Sequence, residues 1–94
     1  MTETPESGPS VSLESFPCFY TFKVFGRRSD TFVARVREVV AATLGAIPED
    51  SVKVRQSQQG RYLSVSIYIR VDNRDQLERI YSDLRAEHEV LLYI

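Results

Sequence analysis

The residues with the clearest potential for chemistry lie in FGRRSD, residues 25–30. Gly26 lets a backbone approach a ligand closely. A helix starting just after this stretch would add unpaired amides and a partial positive charge. Arg27 and Arg28 contribute full charges and Ser29 a hydroxyl. That set of groups suits a carboxylate or a phosphate. A second candidate is the run Tyr62, Ser64, Ser66, Tyr68 and Arg70, which shares one face if residues 62–71 form a strand. Tyrosines on an open strand stack nucleic-acid bases when they are neighbours on the platform. Here they are six residues apart, about 20 Å along a strand. Serines stand where the adjacent rings belong, so RNA binding ranks last among the readings.

Other reactive side chains are isolated. Cys18 follows Pro17 with no base beside it and reads as a half-buried structural residue. His88, between Glu87 and Glu89, is titratable but reads as a solvated turn residue. One Cys and one His exclude a Cys/His metal centre. The chain holds no phosphate-binding loop, dinucleotide fingerprint or Ser-His-Asp pattern. A non-enzyme with no cofactor and no metal is expected.

The whole chain sets the limits for these candidates. Its 94 residues suffice for one domain, and 12 basic residues face 13 acidic ones for a net charge of −1. A basic patch, if present, is therefore local. No apolar run approaches the length of a membrane span, and no basic start leads into an apolar stretch. A cytoplasmic protein without membrane contact is expected.

Residues 1–15 are rich in Ser, Thr, Glu, Pro and Gly and are expected to form a mobile tail ahead of a single domain, 16–94. From Phe16 the pattern alternates: Tyr20, Phe22 and Val24 face one way, and Phe19, Thr21, Lys23 and Phe25 the other, until Gly26 is expected to break the strand. Phe32, Val33, Val36, Val39, Val40 and Leu44 then recur at helical spacing. Ser29 or Asp30 is the expected cap of that helix, and Gly45 and Pro48 end it. Val52 and Val54 alternate with Lys53 and Arg55. A hairpin with Gly60 at positive φ leads into the strand of Leu63, Val65, Ile67, Ile69 and Val71. Asn73 caps a second helix carrying Leu77, Ile80, Tyr81 and Leu84, with Gln76 reaching back and Asp75 paired to Arg79. VLLYI, residues 90–94, closes the chain as a strand. One apolar stripe per helix puts both helices on one side of the sheet. The expected fold is an α+β, ferredoxin-like βαββαβ sandwich with an antiparallel sheet in the order 4-1-3-2.

FPCFYTFKVFG (16–26), GRYLSVSIYI (60–69), LERIYSDL (77–84) and VLLYI, in this order and spacing, resemble the YbeD-like family of small bacterial proteins of unknown function. The resemblance implies a ferredoxin-like fold similar to ACT-type regulatory domains, a cytoplasmic location and an association with lipoate metabolism. It brings no catalytic residues with it. The likeness to ACT domains transfers no ligand, although ACT-type domains bind amino acids near the first strand–helix loop, here Gly26, Arg27, Arg28 and Ser29.

The leading expectation is a regulatory or interaction module. Its open face would present Phe19, Lys23, Tyr62, Ser64, Ser66, Tyr68, Arg70, Leu91 and Tyr93. The last strand lacks charge and proline, whereas Lys53 and Arg55 guard the opposite edge. The expected partner is another protein or a second copy, joined by strand addition. A small anionic metabolite or amino acid held at residues 26–29 is the alternative.

Overall fold

Period-two alternation is strongest where two long strands pair. Cys18–Arg27 (β1) and Tyr62–Val71 (β3) run antiparallel over their full lengths, Cys18 opposite Val71 and Arg27 opposite Tyr62. These belong to a computed structural model that describes residues 15–94. The expected tail, residues 1–15, lies outside the described residues except for Ser15. The other elements are α1 (Phe32–Leu44), a single 3₁₀ turn (Glu49–Ser51), β2 (Val52–Gln56), α2 (Arg74–Ala86) and β4 (Val90–Tyr93). The sheet order is β2-β3-β1-β4, antiparallel throughout, with the βαββαβ arrangement expected from the sequence.

One side of the sheet carries the core. Phe22, Val24, Leu63, Val65, Ile67 and Val71 are buried beneath Phe32, Val36, Val39 and Val40 of α1 and Leu77, Ile80 and Leu84 of α2. Each large side chain of this set contributes about 1.5–3 kcal/mol through burial. Among the described residues no polar or charged one is buried in this core. Val54 faces the same side but stays exposed, because β2 is an edge that neither helix reaches over fully.

Turns and caps follow the sequence except at α1. Gly60 sits at φ 76° in the β2–β3 hairpin and Gly45 at φ 87° after α1. Asn73 Oδ1 accepts from the Gln76 amide at 2.9 Å, while Gln76 Oε1 accepts from the Asp72 amide at 2.8 Å. The four-residue ion pair that forms on α2 is Arg74–Glu78, at 3.1 Å, rather than Asp75–Arg79. At α1 the capping residue is Thr31, not Ser29 or Asp30, and its side chain caps no amide.

Gly26 explains that shift. It does not break β1, which continues to Arg27. A Cβ at this position would meet the ring of Phe32 and come within 2.5 Å of the Glu89 carbonyl oxygen. The chain therefore needs glycine here for space. The same contact holds Phe32 as the first residue of α1, which leaves Thr31 in the capping position before it. Gly26→Ala is expected to lower unfolding free energy by about 2–3 kcal/mol, as overpacked cores do, in urea titrations followed by circular dichroism. Unchanged stability would mean that Phe32 and β4 do not close over this residue.

Candidate functional site

The open side of the sheet is organised in rows set by strand register. Lys23 on β1 lies opposite Ser66 on β3, and Ser66 opposite Lys53 on β2. In the next row stand Phe25, Ser64 and Arg55, with Leu92 of β4 beyond Phe25. Lys23 also exchanges backbone bonds with Ile94: the Ile94 amide donates at 2.8 Å and the Lys23 amide donates back at 3.3 Å. The small serines leave the middle of the face low between longer side chains. At one end, Phe19 and Tyr68 stack on each other with centroids 5.2 Å apart and planes at 27°. Arg70, beside them, is paired with Asp72 at 3.3 Å. At the other end Tyr62 is exposed, opposite Arg27.

Most residues expected on this face are there; Tyr93 is not. It lies opposite Val24, on the helix side, with its ring 5.6 Å from that of Tyr81. The reason is a bulge. Phe25 faces Leu92, but Gly26 faces Val90, so Leu91 is an extra residue in β4. Leu91 and Leu92 are both exposed and the alternation resumes out of phase. Strict alternation therefore placed Tyr93 on the wrong side and left out Leu92. Tyr93 instead joins an aromatic group with Tyr20, Phe22 and Tyr81. The hydroxyls of Tyr20 and Tyr81 are hydrogen-bonded at 2.9 Å. Burial, then the bond to Tyr20 and the nearby phenols of Tyr20 and Tyr93, push the Tyr81 hydroxyl far above the usual phenol range.

The first strand–helix loop differs from its expected form. Gly26 is buried and its free side is occupied by Phe32, so no ligand backbone can use that space. Arg27, Arg28 and Ser29 are exposed. The Arg28 amide donates to the Arg61 carbonyl at 2.8 Å, and Ser29 Oγ accepts from the Thr31 amide at 3.3 Å. The Thr31 hydroxyl donates to Glu89 Oε2 at 3.3 Å, while Glu89 Oε1 is shielded from solvent without a partner. A carboxylate of the chain itself thus stands beside the positive start of α1. Arg27 and Ser29 share a concavity of about 240 Å³ with His88, Glu89 and Leu91.

Lys53, Arg55, Leu92 and Ile94 join the open face without having been singled out for it. The outward positions of Lys53 and Arg55 were readable from alternation, but their nearness to Lys23 depends on register. Among the described residues no three metal-ligating side chains cluster, and no helix is long and apolar enough to cross a membrane. Cys18 is half-buried at the start of β1.

Residues 12–94 match the family described as "Protein of unknown function (DUF493)". A UPF0250 protein of Pseudomonas aeruginosa is 37% identical over 91 residues, 96% of each chain. One from Chromobacterium violaceum is 35% identical over 88 residues, 94% of this chain and 99% of its own. Among solved structures, the protein HP0495 of H. pylori superposes with a TM-score of 0.64 at 18% identity, over 96% of this chain and 98% of its own. The ACT domain from GTP pyrophosphokinase of Chlorobium tepidum gives 0.63 at 13% identity, over 82% and 83%. These structures show an ACT-like fold, as the resemblance in the sequence implied.

The Tyr81 hydroxyl has a measurable consequence. Its folded-state pKa is raised, so the stability it supplies is complete below the unfolded phenol value near 10 and falls as pH rises beyond it. Tyr81→Phe is expected to cost about 1 kcal/mol at neutral pH through the lost hydrogen bond. The gap between wild type and variant should narrow by up to about 1.4 kcal/mol per pH unit above pH ~10. Urea titrations from neutral pH into that range measure it, and a constant gap contradicts a shielded phenol.

Proposed function

Because the chain belongs to the DUF493 (UPF0250) family of bacterial proteins, we propose that it is a non-enzymatic regulatory or interaction module of the bacterial cytoplasm, associating edge-on through β4. The observation that carries this reading is the composition and exposure of that edge. Leu91 and Leu92 are each 56% exposed and Ile94 64%, and no charged residue lies between Val90 and Ile94. Lys53 and Arg55 on β2 oppose pairing at the other edge. The bulge at Leu91 bends the start of β4, so the pairable stretch is short, Leu92–Ile94, and apolar contact supplements the backbone bonds.

The partner proposed is a second copy of the chain. A twofold axis beside β4 would set the two edges antiparallel and bring each Leu92 and Ile94 towards the other subunit. Contact between two open faces is disfavoured, since each carries Lys23, Lys53 and Arg55. A sensor of a small anionic metabolite or amino acid at Gly26, Arg27, Arg28 and Ser29 has weaker support. Phe32 fills the space beside Gly26, and Glu89 supplies negative charge at the start of α1.

Sedimentation equilibrium of the full chain from micromolar to millimolar concentration tests the reading. A rise towards the dimer mass is expected. Leu92→Lys with Ile94→Lys should weaken association by about tenfold or more, because burying an unpaired charge is costly. Phe19→Ser with Tyr68→Ser, at the far end of the face, should leave it unchanged. A strict monomer at every concentration overturns the proposal.

A further inference from the structure

The charges of this chain are not evenly distributed. Along the strands, Lys23, Lys53 and Arg55 are all on the open face, as the register of β1, β2 and β3 requires. Among the described residues no strand carries an Asp or Glu, whereas in the helices and the 3₁₀ turn Glu38, Glu49, Asp50, Asp75, Glu78 and Asp83 are interspersed with Arg35, Arg37, Arg74, Arg79 and Arg85. A net charge of −1 therefore conceals a basic surface on one side of the sheet.

The basic residues surround a depression. Lys23, Lys53 and Arg55 line a concavity of about 500 Å³ whose floor includes Ser64 and Ser66 and whose wall includes Phe25 and Tyr62. Among the described residues no carboxylate lines it. Among the described residues none of the three cations forms a salt bridge, whereas Arg35, Arg37, Arg70 and Arg74 each do. The register places Lys23 two strands from Lys53, about 10 Å, and Arg55 two residues from Lys53, about 7 Å. Beyond Tyr62 the positive field continues through Arg27, Arg28 and Arg61, which line an adjoining concavity of about 490 Å³.

Edge protection accounts for Lys53 and Arg55 but not for Lys23, which is on a central strand paired on both sides. Like charges around one depression repel each other, and a bound anion relieves that repulsion. We propose that this concavity binds a free nucleoside polyphosphate, its phosphates held by Lys23, Lys53 and Arg55 and its base laid against Tyr62 and Phe25. The volume suits a ligand of this size. The aromatic wall matches a flat ring and the cations match a multiply charged tail. A single strand of RNA fits less well. Towards the other end of the face Arg70 is neutralised by Asp72 and the rings of Phe19 and Tyr68 stack on each other. The cations thus form a cluster at one end instead of a track along the sheet.

Calorimetric titration of the full chain at low ionic strength, with ATP, inorganic tripolyphosphate, poly-glutamate and a mixed-sequence RNA decamer as separate probes, tests the assignment. ATP is expected to bind below millimolar, more tightly than tripolyphosphate, and more weakly as salt rises. Lys53→Ser with Arg55→Ser, or Lys23→Ser alone, should weaken binding by about tenfold or more per charge removed. Arg79→Ser, an exposed cation on α2, should leave it unchanged. All these positions are exposed, so folding should survive, and the thermal midpoint of the ligand-free double variant should not fall. Absence of ATP binding at millimolar concentration overturns the proposal. So does equal affinity for tripolyphosphate, which removes the nucleoside from it. Tighter binding of poly-glutamate or RNA, lost in the same variants, makes the face a macromolecular docking surface and overturns it too. The outcome is independent of association through β4, which sedimentation reads separately.

Discussion

One close approach organises this end of the molecule: the Phe32 ring and the Glu89 carbonyl oxygen against the bare backbone of Gly26. It sets where α1 begins, because the first helical residue must be the one whose ring reaches β1. It also fixes the entry to β4, since the Glu89 carbonyl has to lie against the same glycine. With Val90 held opposite Gly26 and Leu92 opposite Phe25, β4 must accommodate an extra residue at Leu91. A missing side chain on β1 is thus connected to the phase of the last strand, and through it to the side on which Tyr93 lies.

The same constraint gives the first strand–helix loop its electrostatics. Once Glu89 is drawn against Gly26, its carboxylate stands beside Thr31 at the start of α1. An acidic group near a helix start interacts favourably with the partial positive charge there, which compensates for the absent side-chain cap on Thr31. The features that make such a loop attractive to an anion are thereby used within the fold. A cluster of positive charge lies on the open face, where the strands hold Lys23, Lys53 and Arg55 around one depression.

How much of this was legible in the sequence differs from element to element. Tyr62 through Val71 revealed their strand and its buried side because ten residues of unbroken alternation admit one phase. Phe32, Val36, Val39 and Val40 revealed α1 by their spacing, though not its cap, since Arg-Ser-Asp-Thr offers several polar candidates and the choice depends on a contact with Gly26. Strand order followed from right-handed crossovers and one-sided helices. Tyr93 was misplaced because a bulge leaves no mark in a stretch as short as VLLYI. Lys23, Lys53 and Arg55 were each visible as outward-facing residues. Their meeting over Ser64 and Ser66 was not, because that depends on the register of three strands at once.

Register also separates the two surfaces in their demands on the molecule. The edge of β4 presents apolar side chains, Leu91, Leu92 and Ile94, to solvent. The basic face presents like charges that repel one another. Neither surface can substitute for the other. A lysine-rich depression repels a copy of itself, and an uncharged edge offers nothing to a phosphate. Because β4 adjoins β1, an edge-on partner would extend the sheet in its own plane and leave Lys23, Lys53 and Arg55 facing solvent. Occupation of one surface therefore need not block the other. Phe25 stands where they adjoin, opposite Leu92 at the edge and lining the wall of the depression.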